Sequence, residues 1–220
     1  MCSNEISLVK SQVDATAKGC TAGKGLGKGS RITGCAGSGA SHGGEGGHGG
    51  AEHDSKDLSK NVHCEASYPS PYYFGDEARY EGSGGGSGDK DGLTGGAGGG
   101  IVWMTSPGKI ELKTSKISAD GSFGKVESHN QHGSGRGSGG SIQIIALRMS
   151  GDGMVSAKGG NGSPNGGGGG SGGRLAMKYL KSYLAESYPA QSIDWSGDYD
   201  LSGGKADGLT FQSLKPLYGE

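Results

Sequence analysis

Large apolar side chains are scarce in this chain of 220 residues. Leu, Ile, Val and Phe together account for 31 residues, whereas glycine alone accounts for 51. A thick globular core needs more apolar surface than this to offset a chain entropy of about 1–2 kcal/mol per residue. Glycine adds to that cost, because it loses more freedom on folding than any other residue. We therefore do not expect a conventional globular domain with a pocket.

The chain also lacks an excess of one charge and a long apolar run. Its formal net charge is −1, which excludes the basic stripe typical of nucleic-acid binding and disfavours disorder, since core-poor disordered chains are usually strongly charged. No run approaches the roughly 18 apolar residues of a membrane span. No apolar segment follows Met1, so no signal peptide is visible. We expect no nucleic-acid partner and no membrane span.

Cysteine is confined to the first third of the chain, and no C-x-x-C pair is present, which makes a zinc ribbon improbable. An even number of cysteines in a core-poor chain favours two disulfides in an oxidising compartment, with three possible pairings. Free, small apolar thiols are the alternative. The disulfide candidates are Cys2, Cys20, Cys35 and Cys64.

A short phrase occurs three times, each time close to glycine. The copies are Val13-Asp14-Ala15, Ile117-Ser118-Ala119 and Val155-Ser156-Ala157, and a charged residue and glycine follow the last two. Such a recurrence predicts a repeat architecture in which one unit stacks on the next.

Alternation of apolar and polar residues predicts strands between the glycine blocks. We expect strands near residues 5–9, 101–105, 109–113, 141–147 and 175–179, with a turn at Pro107-Gly108. The predicted fold is mainly β with little helix. It is a glycine-rich parallel β-solenoid or β-helix-like stack, whose thin units lie about 4.8 Å apart.

A second period, of three residues, places a small residue at every third position from Gly34 to Gly49. Period three is typical of packed polyproline-II segments, in which only glycine fits at the contact. The scarcity of proline excludes collagen. A flexible glycine linker explains the same composition, so both interpretations stay open.

Two regions are predicted. Residues 1–187 form the glycine-rich domain, whose first third, residues 1–66, carries the cysteines. Residues 188–220 form an aromatic tail that we expect to dock on this molecule or on a neighbour. Within the tail, Asp198-Tyr199-Asp200 loosely resembles a calcium loop, but an ordinary turn is the favoured interpretation.

Residues 117–121, 137–142, 155–162 and 166–179 resemble glycine-rich repeat segments of large surface and extracellular proteins, often of unassigned function. The likeness extends over roughly residues 5–180. It implies a parallel β-solenoid-like unit in a surface or matrix protein, and it implies no catalytic residue.

His42, His48 and His53 are candidate metal ligands, with Glu45, Glu52 and Asp54 nearby, because imidazole and carboxylate suit zinc, copper or nickel. Glycine spacers alone do not fix the geometry of a metal site, and a structural role for His42 is the alternative. The carboxylates are scattered, and no Ser/His/Asp or Cys/His constellation is evident. We expect no cofactor and no enzyme.

These features favour a non-enzymatic extracellular structural protein, secreted in a mature form. We expect it to associate with itself into a filament, matrix or crystal-like scaffold, since open strand edges pair readily with another chain. Hydroxyl, amine and imidazole groups add the hypothesis that the scaffold templates a mineral such as silica. The alternative is a carbohydrate-binding surface module, whose aromatic side chains stack on sugar rings. Its candidates are Tyr68, Tyr72, Tyr73, Trp103 and Trp195.

Overall fold

The computed structural model describes residues 4–31, 35–50, 78–88, 95–124, 133–163, 166–179 and 192–205. These residues contain nine strands and no helix, which confirms the prediction of a mainly β protein with parallel sheets. The strands are β1 (Glu5–Val9), β2 (Gln12–Asp14), β3 (Ile101–Lys113), β4 (Lys116–Ser118), β5 (Ser141–Gly151), β6 (Met154–Ser156), β7 (Arg174–Tyr179), β8 (Ser192–Trp195) and β9 (Asp198–Asp200).

The strands form two parallel sheets. The first has the order β1-β3-β5-β7, with β8 also pairing with β5, and the second has the order β2-β4-β6-β9. Each stretch of chain therefore adds a strand to the first sheet and then a short strand to the second. We number these stretches units 1 to 4, comprising residues 5–15, 101–119, 141–157 and, among the described residues, 174–179 with 192–201.

The repeated phrases lie side by side in the second sheet. Val13 pairs with Ile117, and Ile117 pairs with Val155. Tyr199 continues the same row in unit 4. The prediction of a turn at residues 198–200 is therefore wrong, because these residues form strand β9 at the edge of the sheet. In the predicted tail, residues 192–195 and 198–200 thus belong to the same two sheets as the preceding units.

Strand β3 differs from the prediction at Pro107-Gly108. The strand continues through this pair, and its register with β5 shifts between Ser106 and Lys109. Proline lacks the N–H that a ladder needs, and a bulge accommodates that loss without ending the strand. The predicted turn at this position is therefore wrong.

The apolar core contains rows of side chains that cross the units. Ile110 and Leu112 of the first sheet, and Ile117 and Val155 of the second, are at most 4% exposed. Full burial of an aliphatic side chain of this size contributes about 1.5–3 kcal/mol. The other buried members of this core are Val102, Ala119, Ile142, Ile144, Ala146, Met149 and Ala157. Few large residues suffice, because each occupies the same position in successive units.

Glycine-rich segments flank the strands, and backbone hydrogen bonds hold them together. Segment 135–140 donates from successive amides in three directions, and each direction recurs after three residues. The acceptors lie in segment 83–86 for amides 135 and 138, in segment 168–171 for amides 136 and 139, and in segment 119–122 for amides 137 and 140. These bonds measure 2.7–3.4 Å between nitrogen and oxygen.

Segment 37–42 follows the same rule. Amides 37 and 40 donate to segment 133–136, amides 38 and 41 to segment 27–30, and amides 39 and 42 to segment 44–47. The small residues that recur at every third position of the sequence therefore lie on backbone whose hydrogen bonds also recur every three residues.

Glycine is required where these segments meet. A Cβ at Gly137 would collide with the backbone of Ala97, and one at Gly139 would collide with the backbone of Ala157. Backbone atoms cannot move aside as the end of a flexible side chain can. The close approach of neighbouring segments is therefore possible only because these side chains are absent.

Serine supplies the polar interior between the glycines. The Ser83 amide donates to Ser138 Oγ at 2.8 Å, and the Gly27 amide donates to Ser83 Oγ at 2.9 Å. Both serines are fully buried. Buried amides must be paired, so these hydroxyls serve the fold.

Candidate functional site

The candidate metal ligands do not converge in the described residues, where no group of three or more His, Cys, Asp or Glu side chains could hold a metal ion. His42 is fully buried and His48 is partly exposed. His53, Glu52 and Asp54 lie outside the described residues, so the metal hypothesis is not tested for the complete set.

His42 instead takes part in the glycine-rich body. Its Nδ1 lies 2.7 Å from the carbonyl oxygen of Gly139, and its amide donates both to Ser171 Oγ at 2.8 Å and to the Gly44 carbonyl at 3.2 Å. Burial lowers the pKa of His42 to about 4; the bond to Gly139 opposes this shift, and the charge of Arg174 adds to it. The ring is therefore neutral near pH 7 and donates from Nδ1 to Gly139, which ties two glycine segments together.

The described cysteines differ from each other. Cys20 carries a free thiol whose Sγ donates to Glu81 at 3.1 Å, so the expectation that all four cysteines pair does not hold for it. Burial, followed by the contact with Glu81, raises the pKa of Cys20 to about 11, which keeps the thiol protonated and unreactive. Cys35 is buried and disulfide-bonded, and Cys2 and Cys64 lie outside the described residues.

The candidate sugar-stacking aromatics are also separated. Trp103 is 53% exposed, the Arg79 guanidinium lies 5.8 Å from its ring centroid, and its indole N–H donates to Thr105. Trp195 packs against the core and is partly buried. Tyr68, Tyr72 and Tyr73 lie outside the described residues. Trp103 is thus the one aromatic of this set that is described with an exposed side chain, and the Arg79 guanidinium lies over its ring.

The two ends of the core rows are the main feature that the structure adds. Members from unit 3 are buried, and so are those from unit 2 except Met104, but the members contributed by units 1 and 4 are only partly buried. They are Ile6, Leu8, Val13 and Ala15 at one end, and Leu175, Met177, Trp195 and Leu201 at the other. Apolar surface that is buried inside the stack is therefore accessible at both of its ends.

One row of polar side chains crosses the four units and reaches both ends. Asp14, Ser118, Ser156 and Asp200 occupy one register position in β2, β4, β6 and β9. Hydrogen bonds from Thr16 lower the pKa of Asp14. Burial alone would raise the pKa of Asp200, but hydrogen bonds from Ser202 and the charges of Lys158 and Lys116 lower it overall. Both end positions are therefore negatively charged at neutral pH, whereas the two inner positions are neutral.

Sequence analysis missed these end carboxylates, although the signal was present. Asp14 lies in a copy of the repeated phrase at the position that serine occupies in the two inner copies. Asp200 occupies the same position in Tyr199-Asp200-Leu201, a fourth copy too divergent to be identified from composition alone.

In the part of the chain that the structure describes, there is no helix long and apolar enough to cross a membrane. The chain matches no protein-family model, and no curated protein or solved structure matches it.

Proposed function

We propose that this chain is a non-enzymatic structural protein whose copies assemble end to end into a filament or scaffold outside the cell. The disulfide-bonded Cys35 supports the extracellular location, since disulfides persist in oxidising compartments. We further propose that the two sheets form a parallel β-solenoid and that the glycine-rich segments are polyproline-II-like. The recurrence of hydrogen bonds every three residues supports this, since polyproline II has three residues per turn.

The observation that carries the proposal is the partial exposure of the core at units 1 and 4. Ile110, Leu112 and Ile117 of unit 2 occupy the register positions of Ile6, Leu8 and Val13 and are buried with a strand on each side. Met149 and Val155 of unit 3 are buried in the same way. A second copy that continued the register would offer unit 1 or unit 4 the same environment. Burial of apolar area at about 25 cal/mol per Å² favours such a contact.

A substitution at one end tests the proposal. Ile6→Lys places a charge in the partly buried row of unit 1, and sedimentation velocity and electron microscopy report the size of the assemblies. We expect wild-type protein to form elongated polymers and the Ile6→Lys variant to remain small. Leu26→Lys is the matched control, because Leu26 is 66% exposed and lies in a glycine-rich segment. A wild-type protein that remains monomeric at high concentration, in about 1 M salt as well as in low salt, would refute end-to-end assembly.

Carbohydrate binding is the second candidate function, and the exposed side chain of Trp103 supports it. A glycan array tests it, with Trp103→Ala as the comparison; hits that this substitution does not remove would count against Trp103. Mineral templating has less support, because buried serines such as Ser41, Ser138 and Ser171 are unavailable to a surface.

A further inference from the structure

Charged residues are distributed unequally between inner and outer strands of the stack. β1, β2, β8 and β9 contain five carboxylates and no Lys or Arg, whereas β3, β4, β5 and β6 contain four basic residues and one carboxylate. The five carboxylates are Glu5, Asp14, Asp194, Asp198 and Asp200. Strand β7 differs, because it carries Arg174 and Lys178. It lies at the register of the first half of β3, whereas β1 pairs only with the second half. A stacked copy would therefore place no described strand of unit 1 beside β7.

Continuation of the register from one copy to the next would bring like charges together. Among the described residues, Asp14 and Asp200 are the first and last members of this row, so stacking places Asp200 beside Asp14 of a second copy. Neighbouring strands lie about 4.7–4.9 Å apart, so two carboxylates at one register position would face each other across that spacing and repel. Natural proteins use such charges on edge strands to limit pairing with other chains.

The surroundings of both carboxylates reduce this repulsion without removing it. Lys18 and Lys116 act on Asp14, whose hydrogen bonds come from Thr16. Lys158 and Lys116 act on Asp200, whose hydrogen bonds come from Ser202. These lysines lie in the same copy as the carboxylate they affect, and continuation of the register places Asp200 directly opposite Asp14 across the contact.

We propose that Asp14 and Asp200 hold the ends of neighbouring copies apart while both are charged, and that neutralisation or screening of these charges permits end-to-end assembly. This inference rests on the proposed function and adds how end-to-end assembly is regulated. Charge at the first and last units sets the concentration at which copies join, and the apolar rows of the same units supply the attraction.

The double variant Asp14→Asn/Asp200→Asn tests the inference at neutral pH. Asparagine keeps the Oδ1 that accepts the Thr16 and Ser202 amides, so the local structure is retained. We expect the concentration for assembly, measured by light scattering, to fall about threefold to tenfold, since two unit charges 4 Å apart in water repel by about 1 kcal/mol. Asparagine at neutral pH also avoids acid, which would protonate His42 at the same time.

Variation of the salt concentration provides a second test of the inference. At 1 M salt the Debye length is about 3 Å, so wild-type protein should assemble more readily, while the double variant should respond much less. Glu45→Gln/Asp152→Asn is the charge-matched control, because both residues lie outside the terminal strands and the asparagine introduced by the second substitution can still accept the Thr114 amide. The control should assemble like wild type.

The outcomes separate the two proposals. If wild-type protein polymerises and Ile6→Lys prevents it, but the double Asn variant behaves like wild type, end-to-end assembly stands and the role of the carboxylates is refuted. If neither wild-type protein nor the double variant polymerises at any salt concentration, both are refuted. If the control double variant gains as much as the Asp14/Asp200 variant, general net charge rather than the end contact is responsible, and the role of the two carboxylates is again refuted.

Discussion

The sheets and the glycine-rich segments are stabilised in different ways, the sheets by rows of apolar side chains and the segments by backbone hydrogen bonds. In the sheets, side chains such as Ile117 and Val155 form continuous rows, and the backbone supplies one ladder on each side. In segment 135–140, the side chains are mostly absent and the backbone donates in three directions. The comparison teaches that a chain poor in large apolar residues can still be ordered, provided that its amides find partners in place of its side chains.

The largest expected effect tests the side-chain half of this comparison. Ile117→Ala truncates a fully buried side chain inside its row and should lower the free energy of unfolding by about 4 kcal/mol, within the range for buried aliphatic residues. Ile101→Ala is the matched control, because Ile101 is 44% exposed and should change stability by less than about 0.5 kcal/mol. Urea denaturation followed by circular dichroism measures both. Equal losses would mean that the rows do not carry the stability of the sheets.

The next prediction tests the backbone half. Gly137→Ala introduces a Cβ that collides with the Ala97 backbone, and it should cost about 3 kcal/mol, near the upper end for overpacking. Gly44→Ala is the control, since the nearest atom to its added Cβ is Ser171 Cβ at 4.0 Å. It should be neutral or stabilise by about 0.5 kcal/mol, because alanine restricts the unfolded chain. A harmless Gly137→Ala would show that the segments do not need this close approach.

The smallest effect tests a contact between two glycine-rich segments through its pH dependence. Because the pKa of His42 is about 4 in the folded protein and 6.5 for an unperturbed histidine, the unfolded state binds more protons between these values. Stability should therefore fall as the pH decreases through this window, by about 2 kcal/mol between pH 7 and pH 5. Denaturant titrations across this range measure the slope.

His48→Gln is the control for the pH experiment, because it removes a histidine from the same glycine-rich segment at a partly exposed position. The variant should keep the pH dependence of wild type. A wild-type stability that stays constant from pH 7 to pH 5 would contradict the burial of a neutral His42 ring.

The sequence predicts the sheets better than the glycine-rich body for a physical reason. Alternation at residues 5–9 and 175–179 marks strands β1 and β7, and the repeated phrase identifies the row of Val13, Ile117 and Val155. Glycine has no side chain that could indicate its neighbour, so the partners of segment 135–140 could not be derived. Proline at position 107 predicted a turn that is not there. The strand continues because a bulge accommodates the proline, and that bulge depends on pairing with the neighbouring strand, which the sequence does not reveal.

The same limit applies to the candidate sites. Histidine spacing suggested metal ligands, but burial decides that His42 bonds to Gly139, and burial is not visible in a glycine-rich sequence. The end carboxylates matter only through their position in the stack. Asp14 is an ordinary surface residue by itself, and its significance arises when Asp200 is found in the same row.

The threefold direction of hydrogen bonds in segment 135–140 restricts how this part of the chain can change in length. One inserted residue would turn every following amide towards a different neighbour, as would two, whereas three would restore each direction. A strand tolerates steps of two, because its side chains alternate between two faces. Insertions and deletions should therefore be tolerated in steps of three residues in the glycine-rich segments and in steps of two in the strands, even though both regions lie on one continuous chain.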